Sequence, residues 1–178
     1  MHYDVLAESV ALLEGAPLPD RVQLSRRVRH VPLAVDRDGD VAVTMFLRRG
    51  VSGVPEVDVH TLELTGGEWQ RLGGGSGPGD EVTEPRPRLA ELGSPAVSHS
   101  GGGTARTRSG WLAWARDDLV SWAELRVARE VDALRVGTRL VPVAGHGCAV
   151  VVWTRRTPGI AALDQSGAVM GHVVLSSR

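Results

Sequence analysis

The final third of the chain, residues 122–175, constrains the fold most strongly. Short apolar runs alternate there with single tight-turn signals, and no helical period persists. Such runs, rich in Val, Leu, Ile and Trp, are typical of strands in an antiparallel sheet. A turn at residues 164–167, with glycine last, separates the final two runs. The predicted strands are one from about residue 121, then 134–136, 140–143, 148–153, 160–163 and 169–175.

The first seventy residues begin with one helix and continue as strands. Apolar residues at spacings of three and four predict a helix over residues 3–14, with Asp4 near its start and Gly15 just past its end. Strand-like pieces follow from Val22–Leu24 onwards. Two hairpins are predicted, one joining residues 33–35 to 41–47 and the other joining 57–64 to 69–72.

The C-terminal region contains a set of mostly core and turn positions: Glu130-Val131, Arg139, Val141-Pro142-Val143, Gly145-His146-Gly147, Val150 to Trp153, Ala162-Leu163-Asp164 and Gly167. Together these residues resemble a pattern found at the ends of uncharacterised actinobacterial proteins. The resemblance covers less than a third of the chain and implies a compact β-sandwich without implying an activity. We therefore predict a mainly β protein: a β-sandwich of two packed, mostly antiparallel sheets with one short N-terminal helix.

A change of composition interrupts the strand pattern between Gly73 and Gly110. Ten glycines and four prolines fall within these residues, and few large apolar side chains remain. We predict a single domain over residues 1–178 with a flexible excursion at about 73–110. A linker between two domains is the alternative. For residues 111–122, helix and strand are both open.

Composition excludes several kinds of chemistry. All 20 basic residues are arginine, which indicates a high-GC genome and excludes a Schiff-base or phosphate-loop lysine. Cys148 is the only cysteine, so no internal disulfide forms and a reducing compartment fits. The net charge is -1, and no leader-like or membrane-spanning run is present. We expect a cytoplasmic protein that binds neither nucleic acid nor membrane.

Candidate metal and phosphate motifs have simpler interpretations. His146 and Cys148 have the spacing of two metal ligands, but a turn residue and a buried small hydrophobe are favoured. Asp36, Asp38 and Asp40 lack the calcium-loop spacing and are predicted to form a solvated hairpin. The glycines at 73–77 lack a following lysine and are predicted to form a flexible loop. We predict no metal and no cofactor.

Basic clusters and a lone histidine likewise favour structural roles. The clusters at residues 26–30 and 106–108 lack neighbouring aromatic residues for base stacking, so a solvated strand face and a loop are predicted. His172 lies between apolar residues of the last strand and is predicted to be a core histidine.

Tryptophan usage supplies the functional hypothesis. The chain has five Trp against one Phe and one Tyr, and Trp111 and Trp114 border the glycine-rich segment. We predict a non-enzymatic protein that acts through contact with a protein partner or a second copy, with these two residues as binding anchors. The alternative is an enzyme or small-ligand binder whose site is assembled from distant residues such as His60, His172 and Asp164. A deep pocket with converging polar side chains would favour the alternative.

Overall fold

The computed structural model describes residues 4–106 and 119–175 of the chain. Strands dominate, and the mainly β fold with a short N-terminal helix is confirmed. No helix among the described residues is long and apolar enough to cross a membrane. In chain order the elements are α1 (Val5–Leu13), β1 (His30–Asp38), β2 (Val41–Arg49), β3 (Pro55–Thr65), β4 (Glu68–Pro78), α2 (Asp80–Thr83), α3 (Leu89–Leu92), β5 (Ala96–Ala105), β6 (Leu119–Val127), β7 (Ala133–Val136), β8 (Arg139–Pro142), β9 (Cys148–Thr154), β10 (Ile160–Leu163) and β11 (Val169–Val173).

The strands form three antiparallel sheets, one more than a simple sandwich has. The meander sheet has the order β1-β2-β3-β4, the central sheet β5-β6-β9, and the outer sheet β11-β10-β7-β8. Two sheets were expected. The third arises because β7, β8, β10 and β11 pair with one another and pack as a separate layer on the back of the central sheet.

The central sheet is buried on both faces. Val120, Trp122 and Val150 point to the meander sheet, whereas Leu125 and Val151 point to the outer sheet. Strand β9 is apolar on both faces for this reason. Because β1 lies beside β9 and β4 lies beside β5, the meander and central sheets curl together into a flattened barrel.

Helix α1 packs on the meander sheet, with its ends fixed as the sequence predicts. The Asp4 carboxylate accepts hydrogen bonds from the backbone N–H groups of Leu6 and Ala7. Gly15 follows the helix with a φ of 100°, a left-handed conformation that glycine adopts without strain. Ser9 and Thr44 of β2 share a buried hydrogen bond of 2.8 Å, which anchors the helix to the sheet.

The prediction of a loop across residues 73–110 is wrong for the described part of that segment. Strand β4 continues to Pro78, helices α2 and α3 follow, and β5 occupies Ala96–Ala105. Residues 107–110 lie outside the described residues. The prediction of a strand-like piece at Val22–Leu24 is also wrong, since these residues form no strand and pack against the barrel core as irregular chain.

Close packing explains the glycines of β4 and β5. A Cβ on Gly74 would lie 1.9 Å from the Val59 carbonyl oxygen, and one on Gly101 would lie 2.8 Å from the Trp122 carbonyl oxygen. A Cβ on Gly102 would lie 3.0 Å from the Trp122 ring. The absence of side chains therefore lets β4 and β5 lie close to the indole and to the strands with which they pair.

Asp36 is buried, so the predicted solvated hairpin is wrong at this position. Its carboxylate accepts hydrogen bonds from Nε and Nη2 of Arg139 at 2.9 and 2.8 Å and from the Val152 N–H at 2.8 Å. Arg139 also donates to the Val152 carbonyl. Since Asp36 lies in β1, Arg139 in β8 and Val152 in β9, this cluster joins all three sheets. Asp38 is more exposed and lies 3.5 Å from Arg139.

We expect Asp36→Ala to lower the free energy of unfolding by about 3–5 kcal/mol, because it leaves a partly buried guanidinium and a buried N–H without their acceptor. Chemical denaturation measures the loss. Asp38→Ala is the matched control and should cost under about 1 kcal/mol. Equal losses in the two variants would contradict the structural role of Asp36.

Two glycines of β4 provide a second matched pair. Gly74→Ala places a Cβ against the Val59 backbone and should cost about 2–3 kcal/mol or more. Gly77 has no atom within 4 Å of the corresponding position, so Gly77→Ala should change stability by less than about 1 kcal/mol. Thermal or chemical unfolding distinguishes the two. If Gly74→Ala were as stable as the parent protein, close packing would not explain these glycines.

Candidate ligand-binding site

A cavity of about 440 Å³ opens where β4 lies beside β5. Helix α2 supplies part of its lining, and the barrel interior forms its floor. Its lining residues are Met45, Val57, Gly75, Ser76, Gly77, Pro78, Glu81, Val82, His99, Ser100, Gly101, Trp122, Glu124, Leu125, Arg126 and Cys148.

The floor of the cavity is apolar. Met45, Val57, Trp122 and Cys148 belong both to the barrel core and to the cavity lining. Trp122 is 7% exposed, and its ring lies over Gly102 and Gly75. The glycines of β4 and β5 therefore leave room for the indole and for the cavity beside it.

Strand β6 brings two charged residues to this apolar floor. Side chains alternate across a strand, so Trp122, Glu124 and Arg126 share one face, and that face points to the barrel interior. The sequence analysis did not select Glu124 or Arg126, because charged residues that alternate with apolar ones are typical of a strand with one face in water. The available signal was the parity that Trp122 shares with Glu124 and Arg126.

Glu124 carries the main electrostatic feature of the cavity. Burial raises the pKa of its carboxyl, while a hydrogen bond with Ser100 and the nearby His99 oppose the rise. The register of β5 against β6 shifts between Ser98 and Ser100, opposite Glu124. This β-bulge brings Ser100 opposite Glu124 and leaves His99 as the extra residue, a device that recurs beside functional sites.

An exposed pair lies at the edge of the cavity. His99 Nδ1 is 3.3 Å from Glu81 Oε2, and the two side chains are 39% and 67% exposed. The pair connects β5 to α2 across the opening. Because both groups are well hydrated, their interaction is weak and does not hold the opening shut.

Two arginines fix the irregular chain beside the cavity. Arg126 donates to the carbonyl oxygens of Glu84, Pro85 and His146 and contacts the Cys148 sulfur at 3.4 Å. Arg86 donates to the carbonyls of Val127, Ala128, Val131 and Ala144. These guanidinium groups satisfy backbone acceptors that no strand pairing reaches.

His146 is a turn residue and Cys148 is buried, as the sequence analysis favoured. The His146 ring accepts a 3.1 Å hydrogen bond from the Cys148 backbone N–H, just beyond a turn in which Gly147 has a φ of 75°. Burial and the neighbouring Arg126 lower the pKa of His146 to about 4. Burial raises the pKa of the Cys148 thiol, despite the nearby Arg126 guanidinium. The thiol is buried, as predicted.

The residues chosen from sequence do not converge on this cavity. Trp111 and Trp114 lie outside the described residues. His60 is buried in β3 beside Phe46, and burial with the Arg71 charge lowers its pKa to about 4. His172 lies in β11 of the outer sheet and is exposed, so the prediction of a core histidine is wrong.

Asp164 is the turn anchor of the last hairpin. Its carboxylate accepts from the Ser166 hydroxyl at 2.6 Å and from the Ala168 N–H at 2.9 Å, and these hydrogen bonds lower its pKa. It lies in the outer sheet region with His172, with the central sheet between that region and His60. The structure therefore does not bring His60, His172 and Asp164 together.

The two basic clusters differ in their surroundings. Residues 26–29 form an exposed loop, so the predicted strand face is wrong there. Arg106 lies just past the end of β5, outside any strand, but its side chain is buried, with 9% exposure. Its guanidinium donates to Glu63 at 2.7 Å and also contacts Asp40. Arg108 lies outside the described residues.

Among the described residues, no group of three or more His, Cys, Asp and Glu side chains is arranged to hold a metal ion. Comparison with family models, with curated proteins and with solved structures finds no match to this chain.

The raised pKa of Glu124 predicts a pH-dependent stability difference. The unfolded chain loses this proton near pH 4.5, whereas the folded protein holds it to a higher pH, so the folded state is destabilised as pH rises through that window. Glu124→Gln carries no charge and should be more stable than the parent protein at pH about 7, with the advantage disappearing near pH 4. Denaturation midpoints at both pH values test this.

Glu68→Gln, which removes an exposed carboxylate at the start of β4, is the control for loss of one negative charge. It should show no such pH-dependent difference. A Glu124→Gln variant that is less stable than the parent protein at neutral pH would contradict the expected cost of the buried charge.

Proposed function

We propose that the protein binds a small molecule that carries an amine on an apolar body, in the cavity between β4 and β5. One observation supports the proposal: the carboxyl group of Glu124 lies on a mostly apolar surface that is open to a ligand. A cavity of about 440 Å³ falls in the size range of small-molecule sites.

The chemistry of Glu124 favours an amine. A carboxylate in a partly desolvated position is stabilised by a donor, and a ligand ammonium would give a charge-assisted hydrogen bond. Arg126, the cation on the same strand face, already donates to three carbonyl groups. It therefore has little need of an anionic ligand, whereas Ser100 and the nearby His99 are the groups among the described residues that offset the burial of Glu124.

The apolar floor selects the other end of the ligand. Trp122 presents an indole face, and Met45 and Val57 extend the apolar surface into the barrel. A flat aromatic or branched aliphatic body would bury its surface there, at roughly 25 cal/mol per Å² of apolar area. Specificity would then come from the polar groups of β5 and β6.

Contact with a protein partner or a second copy through Trp111 and Trp114 stays a prediction, because both residues lie outside the described residues. The convergence of Glu124, His99 and Ser100 on one cavity is the kind of feature that favours a ligand binder over a contact protein.

Fluorescence titration with dansylcadaverine, which joins an apolar fluorophore to a primary amine, tests the proposal. We expect enhanced, blue-shifted emission on binding, and weaker binding of dansylamide, which lacks the amine. Glu124→Gln should weaken dansylcadaverine at least about tenfold, since it removes a charge-assisted hydrogen bond. It should leave dansylamide unchanged. Affinity for the amine should fall on acidification, as Glu124 becomes protonated.

A cavity-filling variant provides the second test. The space beside Gly77 is empty and faces the cavity, so Gly77→Phe should abolish binding of both dyes. Gly159, in the loop before β10, also has no atom within 4 Å of the position that a Cβ would take, and Gly159→Phe is the matched control. Unchanged binding in Gly77→Phe, or equal binding of both dyes to the parent protein, would overturn the proposal.

A further inference from the structure

A second surface, at one end of the meander sheet, combines exposed arginines with exposed valines. We call it the arginine–valine tip and define it as residues 25–29, Arg49 and residues 50–54. The first segment leads into β1, and the second connects β2 to β3. The Arg49 N–H donates to the Arg29 carbonyl at 2.9 Å, so the two segments lie side by side.

The tip carries a local positive charge that the net charge of the whole chain, -1, does not reveal. It contains four arginines, Arg26, Arg27, Arg29 and Arg49, and no carboxylate, whereas carboxylates outnumber arginines in the rest of the chain. Arg48 pairs with Glu56 and Asp58. Arg26, Arg27 and Arg29 are exposed, and none pairs with a carboxylate of the described residues.

Aliphatic side chains project from the same tip. Val51 is fully exposed, and Val28 and Val54 are each 47% exposed. The backbone around Val51 is closed by hydrogen bonds from Gly50 N–H to the Val54 carbonyl and from Gly53 N–H to the Gly50 carbonyl. A compact turn therefore holds an aliphatic side chain outward between cationic neighbours.

We propose that the arginine–valine tip docks on an anionic lipid surface. Cationic side chains near such a surface gain about fivefold in partitioning each, and a small aliphatic group inserted among the headgroups adds to this. The protein would bind at the surface of the lipid through two loops, without crossing the bilayer. The expectation that membranes are not partners rested on a net charge of -1, which averages the basic tip with an acidic remainder.

Two features favour lipid over a macromolecular partner. No described residue of the tip is aromatic, so bases have no stacking platform. The outward aliphatic groups among exposed arginines are the second feature, since they suit a soft, negatively charged surface.

Vesicle co-sedimentation of the full chain tests this. Vesicles of phosphatidylcholine with about one-third phosphatidylserine should bind the protein, and pure phosphatidylcholine vesicles should not. Raising the salt from about 0.1 M to about 0.5 M should release most of the bound protein, because exposed charges are then screened.

Matched variants locate the contact. Arg26→Ala with Arg27→Ala should lower partitioning about 25-fold, and Val51→Asn should lower it several-fold. The controls change the same residue types elsewhere: Arg135→Ala with Arg156→Ala, and Val174→Asn, which removes an exposed valine. All these side chains are exposed, so the substitutions should leave the fold intact. Circular dichroism checks that each variant is folded.

Absence of binding to anionic vesicles at low salt would overturn the proposal, as would equal losses in the control variants. Salt-sensitive binding of a single-stranded oligonucleotide without vesicle binding would assign the tip to nucleic acid instead. The dye titrations on the cavity are independent of this outcome, since no tip residue lines that cavity.

Discussion

The three-sheet arrangement depends on the hydrogen bonds that the Asp36 carboxylate accepts from Arg139 and Val152. Face-to-face packing of valines and leucines fixes the spacing between sheets but leaves them free to slide, because apolar contact has little directionality. A buried ionic cluster is directional and costly to leave incomplete. By accepting from Arg139 of the outer sheet and Val152 of the central sheet, Asp36 sets the position of the meander sheet relative to both.

The Asp36 cluster also explains why the cavity lies on the opposite side of the barrel. Where β1 meets β9, the charged cluster and the core side chains fill the space. Where β4 meets β5, glycines replace side chains and leave room beside Trp122. The same barrel is therefore filled on one side and open on the other, with Glu124 at the open side.

Local signals predicted the local structure well, and distant contacts escaped them. The hairpins and α1 were predicted from periodicity, turns and caps, all of which act between neighbouring residues. The glycines of β4 and β5 were misassigned, because glycine permits flexibility and close packing alike, and only the partner strand decides. Asp36 was assigned to solvent because its partner Arg139 is 103 residues away in the chain. Glu124 was missed because its face of β6 meets a cavity instead of water.

Closure of the barrel also determines where another chain could add a strand. Since β1 lies beside β9 and β4 beside β5, the edge strands of the meander and central sheets face each other, while the outer sheet ends in two edges of its own. These edges are β8, with four residues that include Arg139 and Pro142, and β11, with five. Short edges that carry a charge or lack an N–H are poor templates for intermolecular pairing. The curvature that forms the cavity therefore also leaves an incoming strand little exposed edge to pair with.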